Sequence, residues 1–175
     1  MIQRGFTVVE LVITITIMGI LLTLAVVGLN ATQVNARDSE RKGDVEAISL
    51  HLETYYSSNY DETQFIGGRY LESGYISEAD LKKFLPDLDL KNVRAPGVEL
   101  NQPISLVAAT NTVTTTAGIL PKPSSTNDVY VYQPLTVNGA LCVDPFISGE
   151  CRRFNIYYYE EASDTIKMVT SKHQA

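Results

Sequence analysis

Two cysteines, two histidines and one glutamate set in an apolar run are the residues of this 175-residue chain whose types invite chemistry. Cys142 and Cys151 have eight residues between them. In an oxidising compartment such a pair closes a disulfide, and in a reducing one it stays as two thiols. The address of the chain therefore decides between them. His51 and His173 are far apart, and neither a CxxC nor an HExxH is present. A four-ligand metal site of Cys and His is not expected. Asp144, Glu150 and Asp164 offer the oxygen ligands that calcium takes, but without a calcium-loop spacing, and read as an acidic exposed loop. No nucleophile stands at a suggestive spacing from a base, so the expectation is no enzyme, no cofactor and no small-molecule substrate. Glu10 is different, because it is the one ionisable residue between Phe6 and Leu29.

That run decides what must position everything else. As a helix, Phe6 to Leu29 spans roughly 36 Å, enough to cross a hydrocarbon core of about 30 Å. The β-branched residues from Val12 to Ile17 suggest a strand in water, but in lipid a helix satisfies each backbone group within its own segment. Arg4 precedes the run and keeps the short N-terminal end in the cytoplasm, which places the rest of the chain outside. A secretory signal has a shorter apolar core and a small-residue cleavage site after it, and neither is present here. A plain anchor explains the length but not Glu10. A carboxylate in an apolar segment is disfavoured by about 2.5–3.5 kcal/mol at the centre and less near an end. Its partner has to come from outside the segment. The net charge of -6, with no clustered basic surface, argues against nucleic-acid binding.

Gly5-Phe6-Thr7-Val8-Val9-Glu10-Leu11, behind the short basic leader, resembles the processing site of type IV pilins and pseudopilins. The resemblance implies that a prepilin peptidase cuts between Gly5 and Phe6 and that Phe6 becomes an N-methylated terminus. It also implies that Glu10 pairs with the Phe6 ammonium of a neighbouring subunit during assembly. A charge pair is tolerated in low dielectric where a lone charge is not. Gly19 matches a glycine common in that family, whereas Val27, beside Gly28, stands where many pilins carry a proline. The implied partners are identical or related subunits in a homo-oligomeric filament, the peptidase and methyltransferase, an inner-membrane assembly platform, and lipid before assembly. The implied role is a structural subunit of a pilus or pilin-like filament that serves adhesion, motility, DNA uptake or secretion. The alternative is an anchored extracellular binding module that never polymerises. An exported head favours the disulfide over free thiols, as in the C-terminal loop of many pilins.

The resulting division is a cleaved leader at 1–5, a membrane and assembly helix at 6–29, an amphipathic helix at 30–58 and a head at 59–175 with its disulfide loop at 142–151. In the amphipathic part, Val34, Val45, Ile48, Leu52 and Tyr55 or Tyr56 form a narrow apolar stripe, with Arg41 bridging its gap. The run Arg37 to Asp44 alternates in sign and reads as a solvated face or a subunit contact, with Asp38 and Lys42 paired. Ser77 caps a short helix that Pro86 stops. Residues 104–108, 129–133, 154–160 and 165–170 read as strands, with a hairpin turn at 161–164. Phe154, Ile156 and Tyr158 point one way and Asn155, Tyr157 and Tyr159 the other, so one face lies on the helical stripe and a tyrosine-bearing face is left outward or against a second layer. The expected class is α+β, a long helix on a small antiparallel sheet, as in pilins.

Overall fold

The computed structural model describes residues 7–58, 68–99, 101–112, 122–143 and 150–173. The leader, Gly5 and Phe6 lie outside the described residues, as does Asp144. Helix α1 runs from Val8 to Ser58, 51 residues and about 75 Å, without a break at Gly19 or Gly28. Its second half buries Arg41, Val45, Ile48 and Leu52 of the expected stripe, while Val34, Tyr55 and Tyr56 are partly buried and Asp38 joins the buried face one turn before Arg41. Arg41 does more than bridge a gap, being 1% exposed and as much a core residue as the valine above it.

A 3₁₀ turn at Ser73–Tyr75 and the short helix α2, Glu78–Phe84, follow. The Ser77 side chain accepts the Asp80 backbone N–H and caps α2, and Leu81 is its buried residue. Strands β1 (Leu106–Ala108), β2 (Tyr130–Thr136), β3 (Cys151–Glu160) and β4 (Thr165–Thr170) form one sheet in the order β1-β2-β3-β4. The sheet is mixed rather than wholly antiparallel. β2, β3 and β4 alternate in direction, but β1 pairs parallel to β2 with Leu106 opposite Tyr130. The long connection from Ala108 to Tyr130 allows this, since a parallel pair needs a crossover and a hairpin cannot supply one. A long N-terminal helix on a small mixed sheet is an α+β arrangement consistent with a pilin-like fold.

The alternation in β3 then sets the core. Phe154, Ile156 and Tyr158 meet Val45, Ile48 and Leu52 of α1, together with Leu106, Tyr130 and Tyr132 from the neighbouring strands. Leu81 of α2 and the loop residues Tyr70, Leu71, Leu85 and Val93 close the sides of this cluster. On the far face, Tyr157 packs with Val131 and Ala109 and is also fully buried. Its hydroxyl and the Asn155 amide both donate to Gln133 Oε1, at 3.0 and 2.9 Å. Four of the five head tyrosines from Tyr130 to Tyr159 are therefore buried, and only Tyr159 is half-exposed.

A buried carboxyl gives the fold one unusual pH term. Asp44 lies under the sheet, where it accepts the Tyr130 hydroxyl at 2.9 Å. Burial pushes its pKa up to about 6, against the lowering effect of that hydrogen bond. A carboxyl raised in the folded state contributes fully below its unfolded value of 3.8, and the contribution is lost as pH rises through about 6. Asp44→Asn keeps an acceptor for Tyr130 and removes the charge. The variant is expected to unfold at a higher denaturant concentration at pH 7 and to lose the decline between about pH 4 and 6. Denaturation curves across that range, compared with the parent chain, check this; an unchanged slope would refute it.

Candidate functional site

The first half of α1 is the apolar surface on which assembly chemistry has to act. Its most apolar 18-residue window has a mean hydropathy of 2.6, and none of it is buried by the rest of the chain. Length and composition are those of a membrane span. Residues such as Val9, Ile13, Ile17 and Leu24 are more than half exposed because the head reaches only the second half of the helix.

Glu10 sits at the start of this helix and is already engaged. Its Oε2 accepts the Thr7 backbone N–H at 3.0 Å and the Thr7 hydroxyl at 2.9 Å. The Thr7 Oγ1 in turn accepts the Glu10 N–H at 3.2 Å. This is a reciprocal capping box, which satisfies the orphan donors of the first turn. Sequence reasoning looked for the partner of Glu10 outside the segment, although Thr7-Val8-Val9-Glu10 is itself the capping-box pattern. The carboxylate is thus tied to the first turn by one oxygen. Farther along, Thr14, Thr16 and Thr23 return their hydroxyls to the Leu11, Val12 and Gly19 carbonyls, so these polar groups add little exposed polarity.

The head is held to the helix by a second charged constellation. Arg37 donates through Nε and Nη2 to the two carboxylate oxygens of Glu161, at 3.1 and 2.6 Å. Arg41 donates to Glu161, to Asp38 at 2.8 Å and to the Asn127 carbonyl at 3.2 Å. Asp38 answers by accepting the Glu161 and Ala162 backbone N–H groups, both at 2.9 Å. A helix turn and the β3–β4 turn therefore grip each other in both directions. Arg37, then Arg41, bring the Glu161 carboxyl down to about 2. Arg37, Asp38 and Arg41 are thus an intramolecular clasp, while Ser39, Glu40, Lys42 and Gly43 of the same run are exposed. Asp38 pairs with Arg41 rather than with Lys42, which leans towards Glu46 at 3.9 Å.

At the other end of the sheet a disulfide joins Cys142 to Cys151, with 5.6 Å between their Cα atoms. The loop from Tyr70 to Ser73 is pinned to it, Tyr70 N–H donating to the Cys151 carbonyl at 2.8 Å and Ser73 N–H to the Cys142 carbonyl at 3.2 Å. Gly68, at φ +79°, starts this segment, and a Cβ there would stand 2.8 Å from the Arg152 guanidinium. Glu53 of α1 gathers the chain end by accepting Lys172 N–H at 2.7 Å and the Tyr70 hydroxyl at 2.9 Å. His173 Nδ1 lies 3.0 Å from the same carboxylate, with its ring stacked on Tyr56. The histidine and carboxylate are thus together beside the Tyr70 hydroxyl. Burial, and then Glu53, raise the Tyr70 pKa. Among the described residues, no three His, Cys, Asp or Glu side chains converge on a metal site.

Residues 1–26 match the family model described as the prokaryotic N-terminal methylation motif, the leader signature of type IV pilins and pseudopilins. The match supports reading this N-terminus as that of a type IV pilin-like or pseudopilin precursor. The motif implies processing by prepilin peptidase and pilin assembly, and points to a structural subunit rather than an enzyme. With the apolar helix it fits membrane anchoring, and the cysteine pair fits the same class. No curated protein and no solved structure matches the chain.

Proposed function

We propose that this chain is a structural subunit of a type IV pilus or related pilin-like filament. The observation that carries the reading is the leader motif at 1–26 running directly into a 51-residue helix whose apolar half the head leaves uncovered. In this reading, residues 1–5 are a leader cut between Gly5 and Phe6, and Phe6 is then methylated. Residues 6–29 sit in lipid as a single pass, with the head at 59–175 exported and the helix at 30–58 between them. On assembly the apolar surface passes from lipid to neighbouring helices of identical or related subunits at an inner-membrane platform. The Thr7 cap holds Glu10 through Oε2, so Oε1 is left for the Phe6 ammonium of a neighbour. Export places Cys142 and Cys151 where their disulfide persists. The filament then serves adhesion, motility, DNA uptake or secretion.

Two measurements test this. Intact mass and N-terminal sequencing of the protein from cells, with and without prepilin peptidase, are expected to show loss of Met1 to Gly5 and one methyl group on Phe6. An uncut terminus, or a cut beyond Leu29, would sink the reading. Glu10→Ala is expected to leave the protein in the membrane but abolish filaments in sheared fractions. Loss of the cap costs only about 0.5–2 kcal/mol of helix stability, too little to unfold the head. Normal filaments with Glu10→Ala would remove the assembly role of Glu10. Normal function in the absence of any filament would favour an anchored binding module.

A further inference from the structure

We propose that Asn138 is a site of spontaneous modification, where the side-chain amide converts to a carboxylate through a cyclic imide with the assistance of Arg153. Asn138 is the one asparagine of the chain that a glycine follows. It is exposed in the turn after β2, and its side-chain amide makes no hydrogen bond among the described residues. The reaction closes a ring between neighbours. The Gly139 nitrogen loses its proton to solvent and attacks Asn138 Cγ. A bond from that nitrogen to Cγ forms, the Cγ–Nδ2 bond breaks, and the amide leaves as ammonia with a proton from water. Water then opens the ring at either carbonyl, which gives aspartate or its β-linked isomer. Having no side chain, Gly139 leaves the attacking nitrogen uncrowded.

The fold adds a cation to this pair. Arg153 reaches over from β3, and its Nη2 donates to the Thr136 carbonyl at 3.3 Å and to the Val137 carbonyl. A Cβ on Gly139 would stand 3.7 Å from the same nitrogen. The residues on both sides of Asn138 therefore lie against one guanidinium. A nearby cation favours the negative form of its neighbours. Here it eases loss of the Gly139 proton and stabilises the oxyanion that forms at Cγ. Against this, the Gly139 N–H donates to the Thr136 carbonyl at 3.0 Å, and that bond has to open first. Exposed turns are among the segments that open most readily. The product carboxylate stays beside Arg153, and the β-linked form adds a main-chain carbon to the turn. That turn carries β2 round to the Leu135–Leu141 bridge and to the Cys142 N–H, which donates to the Pro134 carbonyl at 2.9 Å. The change thus falls on the disulfide end of the sheet. None of this rests on the filament reading.

Incubation of the full chain in non-ionic detergent and heavy-oxygen water at mildly alkaline pH, followed by peptide mass spectrometry, tests the proposal. The peptide holding Asn138 is expected to exchange its amide nitrogen for a solvent oxygen and to appear as a mixture of aspartate and the β-linked isomer. Peptides holding Asn35, Asn92 and Asn155 are expected to stay unchanged. Arg153→Gln is expected to slow the conversion about fourfold, and Arg153→Lys, which keeps the charge, to stay near the parent rate. Near-ultraviolet circular dichroism of the tyrosines reports whether Arg153→Gln still folds. If it does not, salt decides, because about 1 M salt screens the guanidinium and is expected to slow the parent chain. An unconverted Asn138, a product without the isomer, or a folded Arg153→Gln that converts at the parent rate overturns the proposal. So does a rate indifferent to salt where that variant fails to fold.

Discussion

Replacing Arg41 by methionine is expected to cost the head about 3 kcal/mol. The guanidinium is 1% exposed and holds three acceptors at once: Asp38, Glu161 and the Asn127 carbonyl. Methionine fills much of the same volume, so the loss is electrostatic. It leaves two carboxylates facing each other in a half-buried site, with only Arg37 to neutralise them. Breaking a buried pair by removing one partner is costly for that reason. Arg37→Ala is the internal comparison. Its side chain is 39% exposed, so its loss is expected to cost less than about 1 kcal/mol. The difference, read from denaturant unfolding of the full chain in detergent, checks the ranking. Equal costs for the two variants would mean that Arg41 is not the centre of the clasp. The low Glu161 pKa carries a further sign. A carboxyl depressed in the folded state contributes above its unfolded value near 4.5, and that contribution is lost as pH falls towards about 2. In the Arg41 variant this acid-side loss is expected to shrink.

Phe154→Ala is expected to cost about 3–5 kcal/mol. The ring is fully buried between the sheet and α1, edge-on to Tyr70 at 4.8 Å and 6.0 Å from the Tyr132 ring. Its neighbours are themselves fixed. The Tyr70 hydroxyl donates to Glu53 and the Tyr132 hydroxyl to the Leu71 carbonyl at 2.7 Å. They cannot move into the vacated space without giving up those bonds, so a cavity remains. Phe154→Leu keeps most of the volume and is expected to lose less than half as much. The midpoint of thermal or denaturant unfolding separates the two. A loss under about 1 kcal/mol for the alanine variant would show that the helix and sheet close over the gap.

The share of this fold visible in the sequence follows from the range of the interactions. The Ser77 cap of α2 and strand β4 at Thr165–Thr170 were legible, because periodicity, caps and breakers act within a turn or two. The in–out alternation of β3 was legible for the same reason. The direction of β1 was not, since two short strands separated by a long connection carry no local mark of parallel pairing. Whether the Tyr157 face meets solvent or a second layer was not legible either, and the fold buries Tyr157 against Val131 and Ala109 with its hydroxyl on Gln133.

The candidate site divides along the same line. Leader, apolar span and Glu10 lie in one continuous stretch, so residue order alone determined that this N-terminus resembles a pilin leader and has the length to cross a membrane. The Thr7–Glu10 cap was equally local and was there to be found. Only the tertiary structure decided that Arg41 is a core residue and that Asp38 receives a turn more than a hundred positions away. Charge type and spacing do not encode which distant backbone group a side chain will meet. That is decided when the sheet closes on the helix and water is squeezed out, because each charge left inside must then find its partner in the folded chain.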